Sequence, residues 1–287
     1  MTPIGTAVML ASGRARGRRR ARAGSALGTA FNAGVIVFLL APIVIMMIES
    51  FNSGGYLLFP PQGVSLRWYR AFFDNADFVE SLRISLALAF VATLVATTIG
   101  VMAALALAAG RSRAAVIVKS GLVAPVTVPG IVTGTGMLIA FSRVNLEGSF
   151  LSLAIAHTVL ILPFVVLIVS AGLEAFDRSI EEAARSLGAG QLRAFLTVTL
   201  PLIRGSLVAA AVLAFLTSFD EVVVSLFLAG PLTTTLPVRI FHYVEGSSSP
   251  LIAAVSTLLV LLAGAVVLTL DRTIGFTRFL SRRPQDS

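Results

Sequence analysis

Two groups of acidic residues are placed where they could act. Asp220 and Glu221 stand side by side at the end of a long apolar run, and Glu49 closes another. At 1.5 Å per helical residue, Asp220 lies roughly 28 Å from Pro201, near the outer end of a membrane-crossing helix that starts there. Carboxylates at membrane depth are expensive and are functional candidates by default. In that position they would attract positive charge. Equally, they could sit in headgroup water, or pair with Arg239 or with a second subunit. The second group, Glu181 and Glu182, lies in a polar segment between apolar runs, where the residues alternate in a helical pattern.

Other chemistry is poorly served. Cysteine is absent, which excludes disulfides, thiol catalysis and Cys-based metal sites. The two histidines, His157 and His242, cannot build a His-rich metal site without carboxylate help. His157 lies inside an apolar run, as a pathway group or as a hydrogen-bonded member of a bundle. The one lysine, in Val118-Lys119-Ser120, lacks the glycines of a phosphate-binding loop, so ATP is not bound by that route. No nucleophile–base pair points to an intramembrane enzyme. No internal repeat points to a self-contained secondary transporter.

The elements that must position these residues are membrane spans. The chain is 56% hydrophobic and 13% charged, with a mean hydropathy of +0.93. These values lie far from those of soluble domains. The apolar residues come in six runs, Phe31–Ile48, Ile84–Ala109, Ala114–Phe141, Phe150–Leu173, Pro201–Phe219 and Leu251–Leu270, each long enough to cross about 30 Å of hydrocarbon. Residues 1–30 form a basic tail, 31–270 the span region with a long loop at 174–200, and 271–287 a second tail. With both tails in the cytoplasm, seventeen of the 22 Lys+Arg fall on inside segments and five outside. That asymmetry sets the orientation. It also accounts for the net charge of +8 without nucleic acid. Pro42, Pro125, Pro129, Gly130 and Pro163 interrupt spans, either as plain packing or as irregular backbone lining a path. Trp68 and Tyr69 are expected to anchor at the membrane interface.

The 174–200 loop is the most informative segment. Asp177 or Ser179 can cap a short helix, Ile180–Leu187, and Gly188 can end it. Glu181, Glu182 and Arg185 are expected to face water, with Ile180, Ala183, Ala184 and Leu187 on the opposite side. A second amphipathic piece, Gln191–Thr199, leads to Pro201, which suits a first helical turn. A small helix with one apolar face can dock in a partner's groove. The order Glu182-Ala183-Ala184, three residues, Gly188, nine residues, Val198, one residue, Leu200-Pro201 resembles the EAA signature of ABC-importer membrane subunits. With its basic tail and six spans, the chain resembles the MetI-like permeases of type I ABC importers. The stretch Ser218–Pro231, followed by Thr235-Leu236-Pro237-Val238-Arg239-Ile240-Phe241, is similar to the spermidine/putrescine permease type. Permeases for other amines, amino-acid derivatives and phosphonates carry similar stretches.

The resemblance implies an all-α, six-helix membrane fold in the bacterial inner membrane with both termini cytoplasmic. It implies no catalysis and no cofactor in this chain, ATP and magnesium being held by a dimer of separate ATPase subunits. The further partners implied are the lipid bilayer, a sister permease subunit and an external solute-binding protein. Glu181, Glu182, Ala183, Ala184, Leu187, Gly188, Leu200 and Pro201 would then couple to the ATPase. Asp220, Glu221 and Glu49 would be the candidates for the solute path.

Overall fold

The computed structural model describes residues 28–109, 113–175, 177 and 179–274. The expected tails lie outside the described residues up to 27 and from 275. The described chain is helical, with one isolated bridge between Asn52 and Val64.

A first helix, α1, runs Gly28–Glu49. After an ordered loop come α2 (Arg67–Asp74) and the long α3 (Ala76–Ala109). Two shorter helices follow, α4 (Arg113–Thr127) and α5 (Gly130–Ser142), then α6 (Phe150–Glu174). The loop helix α7 covers Ser179–Ser186. It is followed by α8 (Gln191–Ala194), a π-helical turn Phe195–Thr199, and α9 (Leu200–Phe219). The chain ends with α10 (Val223–Leu228), α11 (Leu236–Gly246) and α12 (Leu251–Ile274).

Among the described residues, five helices are long and apolar enough to cross a membrane, and a bent pair makes up to six. That pair is where the third expected span departs from the run Ala114–Phe141. It breaks after Thr127 and turns by 109° between α4 and α5. Pro125 lies inside α4, and Pro129 precedes the first residue of α5. Proline lacks the N–H and disfavours helical backbone at the residue before it, here Val128, so the ladder cannot run through.

Two other boundaries move. The second span begins at Ala76 rather than Ile84, because Asn75 Oδ1 accepts from the N–H groups of Asp77 (3.0 Å) and Phe78 (3.2 Å) and starts the helix there. Its first turns carry Asp77, Glu80 and Arg83 and form a polar collar below which the apolar run begins. The fifth span begins at Gln191, ten residues before Pro201, as one helix to Phe219. The π turn reconciles that continuity with the proline. Leu200 N–H reaches back to Phe195 O, which shifts the ladder by one residue just ahead of the position that has no N–H to give.

The core is a three-helix packing of α3, α6 and α9. Ala92, Ala96 and Ala104 of α3 meet Ile161, Val165 and Val169 of α6 and Ile203, Ala210 and Ala214 of α9. In lipid no hydrophobic force draws helices together, so close contact through small residues does this work. At Gly100 a Cβ would lie 2.6 Å from Val165 Cγ1, so the crossing requires glycine. An outer cluster of Phe72, Phe78, Leu236, Leu251 and Val255 ties α2, α11 and α12 to the top of α3. By contrast, the apolar stretch of α1 has no buried residue.

Candidate functional site

The 174–200 loop forms the helix its pattern requires. Asp177 Oδ1 accepts from Ser179 N–H at 3.0 Å. The backbone N–H and hydroxyl of Ser179 hold the Asp177 carboxyl below its ordinary value. Glu181 and Glu182 occupy the first turn and Arg185 the last, complementing the helix dipole. Gly188 closes α7 with φ +91°. Its N–H bonds Arg185 O (3.0 Å), and Ala189 N–H bonds Ala184 O (3.1 Å). That pair is the Schellman pattern, which needs left-handed backbone at Gly188.

The faces of α7 differ from the expected division. Glu181 does not face open water: Thr199 Oγ1 donates to Glu181 Oε2 at 2.8 Å. Thr199 is 1% exposed, and a buried hydroxyl needs an acceptor. Ala184 turns the same way and is half-buried, whereas Ala183 is exposed. The outward stripe is therefore Ile180, Ala183 and Leu187, the last 89% exposed. Glu182 stays exposed beside it. Leu200 and Pro201 are the first residues of α9, and α7 is joined to the fifth span through Glu181 and Thr199.

The acidic pair lies at a second interruption. The fifth span stops at Phe219 and resumes as α10 at Val223, leaving Asp220, Glu221 and Val222 between two helices. His157 fixes the level of this break. It is seven residues into α6, about 10 Å from the start of that helix, and it bonds Ser218 and Ser225 on either side of the break. From there α10 climbs outward to Gly230, which packs against Gly148 just before α6 begins. The break thus lies inside the bundle, below the end marked by Gly148 and Gly230.

The two carboxylates have different duties. Glu221 Oε1 accepts from Val224 N–H at 2.7 Å and caps α10. Asp220 is exposed on the single chain, and among the described residues its carboxylate has no hydrogen bond or ion pair. Arg239, one expected partner, is engaged elsewhere: Nε donates to Ser81 Oγ at 3.2 Å and the guanidinium lies 3.4 Å from Asp77.

The two interruptions meet. A Cβ at Gly130, the first residue after the α4–α5 bend, would lie 3.2 Å from Val223, the first residue after the α9–α10 break. At Gly134 a Cβ would come within 2.7 Å of the Phe227 ring and 3.3 Å of the Val224 backbone, so α5 and α10 touch nearly backbone to backbone. Irregular backbone at membrane depth persists only where protein or a water-filled cavity covers it. This meeting point, edged by Asp220, is the candidate site. Sequence reasoning missed Thr199, Ser218 and Ser225, since a hydroxyl in an apolar helix carries no pattern of its own.

Glu49 lies apart from this point, at the outer end of α1. It is 3% exposed and accepts from Asn52 Nδ2 at 2.8 Å through Oε2. Trp68 and Tyr69 clamp the same loop. Trp68 Nε1 donates to Asn52 O at 2.9 Å, and the Tyr69 hydroxyl lies 2.7 Å from Ser50 Oγ. The expected interfacial aromatics are therefore also internal ties.

Comparison with known proteins places these features in context. The family described as binding-protein-dependent transport system inner membrane component matches residues 96–275. The spermidine/putrescine transport system permease protein PotC of Escherichia coli (strain K12) is 33% identical over 259 residues, covering 88% of this chain and 98% of that protein. The putrescine transport system permease protein PotI of the same strain is 34% identical over 236 residues, 80% of this chain and 84% of that protein. Among solved structures, a bacterial alginate ABC transporter in complex with an alginate pentasaccharide-bound periplasmic protein has a similar fold. Its TM-score is 0.69 at 15% identity, over 92% of this chain and 96% of that one.

Proposed function

The chain belongs to the binding-protein-dependent transport system inner membrane component family of ABC importers, multi-pass permeases of the bacterial inner membrane, and we propose that it carries a polyamine, putrescine or spermidine, across that membrane. The observation that carries the substrate reading is Asp220. It is an unpartnered carboxylate at membrane depth, where two broken spans meet. A protonated amine is the complement of such a group. The names of the two relatives agree with it.

In this reading Asp220 attracts one ammonium group of the solute as an external binding protein releases it. Glu221 holds α10 so that the turn keeps its shape. Glu49 keeps the outer loop folded through Asn52. The other half of the path comes from a sister permease, and ATP and magnesium stay on a pair of ATPase subunits. Those subunits grip the outward stripe of α7. Its movement passes through Glu181 and Thr199 into the helix Gln191–Phe219, a rod about 43 Å long by helical rise. The far end of that rod is the Asp220 break, so a push in the cytoplasm is delivered where the solute sits. This reading puts both termini in the cytoplasm, which the distribution of basic residues supports.

Uptake of radiolabelled putrescine and spermidine by the reconstituted importer tests this. A hydrogen bond to a charged group is worth about 1.5–3 kcal/mol, so Asp220→Asn should raise the apparent KM tenfold or more. Glu221→Gln, whose amide oxygen still accepts from Val224, should stay within threefold. Unchanged uptake by Asp220→Asn, or preference for a neutral solute, defeats the proposal.

A further inference from the structure

One buried imidazole straddles the break that carries Asp220. His157, on α6, is 1% exposed. Its Nδ1 lies 2.8 Å from Ser218 Oγ, at the end of α9. Its Nε2 lies 2.9 Å from Ser225 Oγ, in the first turn of α10. Ser218 and Ser225 are 3% and 0% exposed. A neutral ring donates through one nitrogen and accepts through the other, and serine hydroxyls serve in either role, so both bonds form together. Neither serine has another side-chain partner among the described residues. Rotating the ring, or sliding α10 along α6, leaves at least two buried polar groups unpaired, which is strongly disfavoured.

We infer that His157 is a positioning residue for solute transfer: by holding Ser218 before the break and Ser225 after it, the ring sets the spacing of α9 and α10 and so presents Asp220 to the path. Among the described residues, the three residues between the helices make no side-chain hydrogen bond to another span. Glu221 caps α10 from within the turn but does not tie α10 to another span. The α5 contact at Gly130 and Gly134 is apolar, and so is the cluster that Val224 and Leu228 of α10 form with Leu153, Ala154 and Ala156 of α6, so neither sets a directional polar register. His157 is the polar link between this turn and the rigid α3–α6–α9 core. The inference rests on the reading of Asp220 as the path carboxylate.

The absence of cysteine from the chain allows a direct test. Asp220→Cys supplies a single thiol, reported by the rate of modification with a small cationic methanethiosulfonate applied from outside. The rate is read on the gel-resolved subunit in the full importer, with its ATPase, sister permease and binding protein, cycling on ATP. In the His157 background we expect rapid modification, slowed by excess putrescine. His157→Leu should slow it at least fivefold. Ser225→Ala, which removes one hydroxyl and leaves the core volume nearly intact, should do the same if His157→Leu fails to assemble. His157→Gln, whose amide can still bond Ser225, should recover the rate to within twofold. A cysteine at Tyr56, on the outer loop and 70% exposed, should be modified equally in all backgrounds. Equal rates at position 220 in every His157 and Ser225 background overturn the positioning role while leaving Asp220 on the path. No modification at 220 in any background removes Asp220 from the path, and the positioning role with it.

Discussion

Replacing Gly188 separates the backbone of the coupling helix from its side chains. The residue has φ +91°, and a Cβ built there meets nothing within 4 Å. An alanine therefore introduces no clash, and its whole effect is conformational. Left-handed backbone disfavours a residue with a Cβ by about 1–2 kcal/mol. With eight residues, α7 is too short to be stable alone, so it has no reserve to absorb the change. The Schellman bonds to Arg185 O and Ala184 O are the first to open, and Leu187 loses its place on the outward stripe. A penalty of about 1–2 kcal/mol lowers the population of the docking-competent helix about 5–30-fold. Titration of the purified ATPase against the detergent-solubilised permease should show that weakening for Gly188→Ala. Gly188→Asn should bind within threefold of the parent, because asparagine tolerates the left-handed region. If Gly188→Ala binds as tightly as the parent, or Gly188→Asn is as weak as the alanine variant, the backbone of this turn is not what the ATPase reads.

Two more predictions concern the path between the loop and the core. Glu181→Ala leaves the buried Thr199 hydroxyl without its acceptor and cuts the tie from α7 to the rod. ATP hydrolysed per solute imported should rise severalfold, while Glu181→Gln, which keeps an acceptor, should match the parent. Gly100→Ala drives a methyl to 2.6 Å from Val165 Cγ1, and overpacking of this kind costs about 1–3 kcal/mol. Thermal inactivation of the detergent-solubilised importer should come at lower temperature, and adding Val165→Ala should restore part of the loss. Additive effects of the two substitutions would show that the crossing relaxes by some other route.

Much of the architecture is legible in the residues because a bilayer leaves a chain few choices. Without water to satisfy the backbone, each long apolar run forms a helix. The basic asymmetry, Asp177 at the start of α7 and Gly188 at its end are likewise local features with local causes. Pro125 and Pro129 announced an interruption, but not its size, since a proline only forbids continuation. The direction of the new helix comes from what α5 meets, here Val223, Val224 and Phe227.

The break at Asp220 had no such notice. Phe219-Asp220-Glu221-Val222-Val223 contains neither glycine nor proline, and the end of one apolar run looked like the end of a crossing. What spans the break is a pair of contacts 61 and 68 residues away in the chain, from His157 to Ser218 and Ser225. The same distance hid the division of labour between the two carboxylates, because only the path of α10 makes Glu221 a cap and leaves Asp220 open. Glu181 turned inward for a similar reason, as the π turn ahead of Pro201 brings Thr199 beneath it. Taken alone, the order of residues determined which segments are helices and which loop bears a short capped helix, because those follow from hydropathy and backbone preference within a few turns. Tertiary structure decided which polar groups are spent on holding the bundle and which are left for a solute, because hydrogen bonds between distant helices depend on packing that no local stretch encodes.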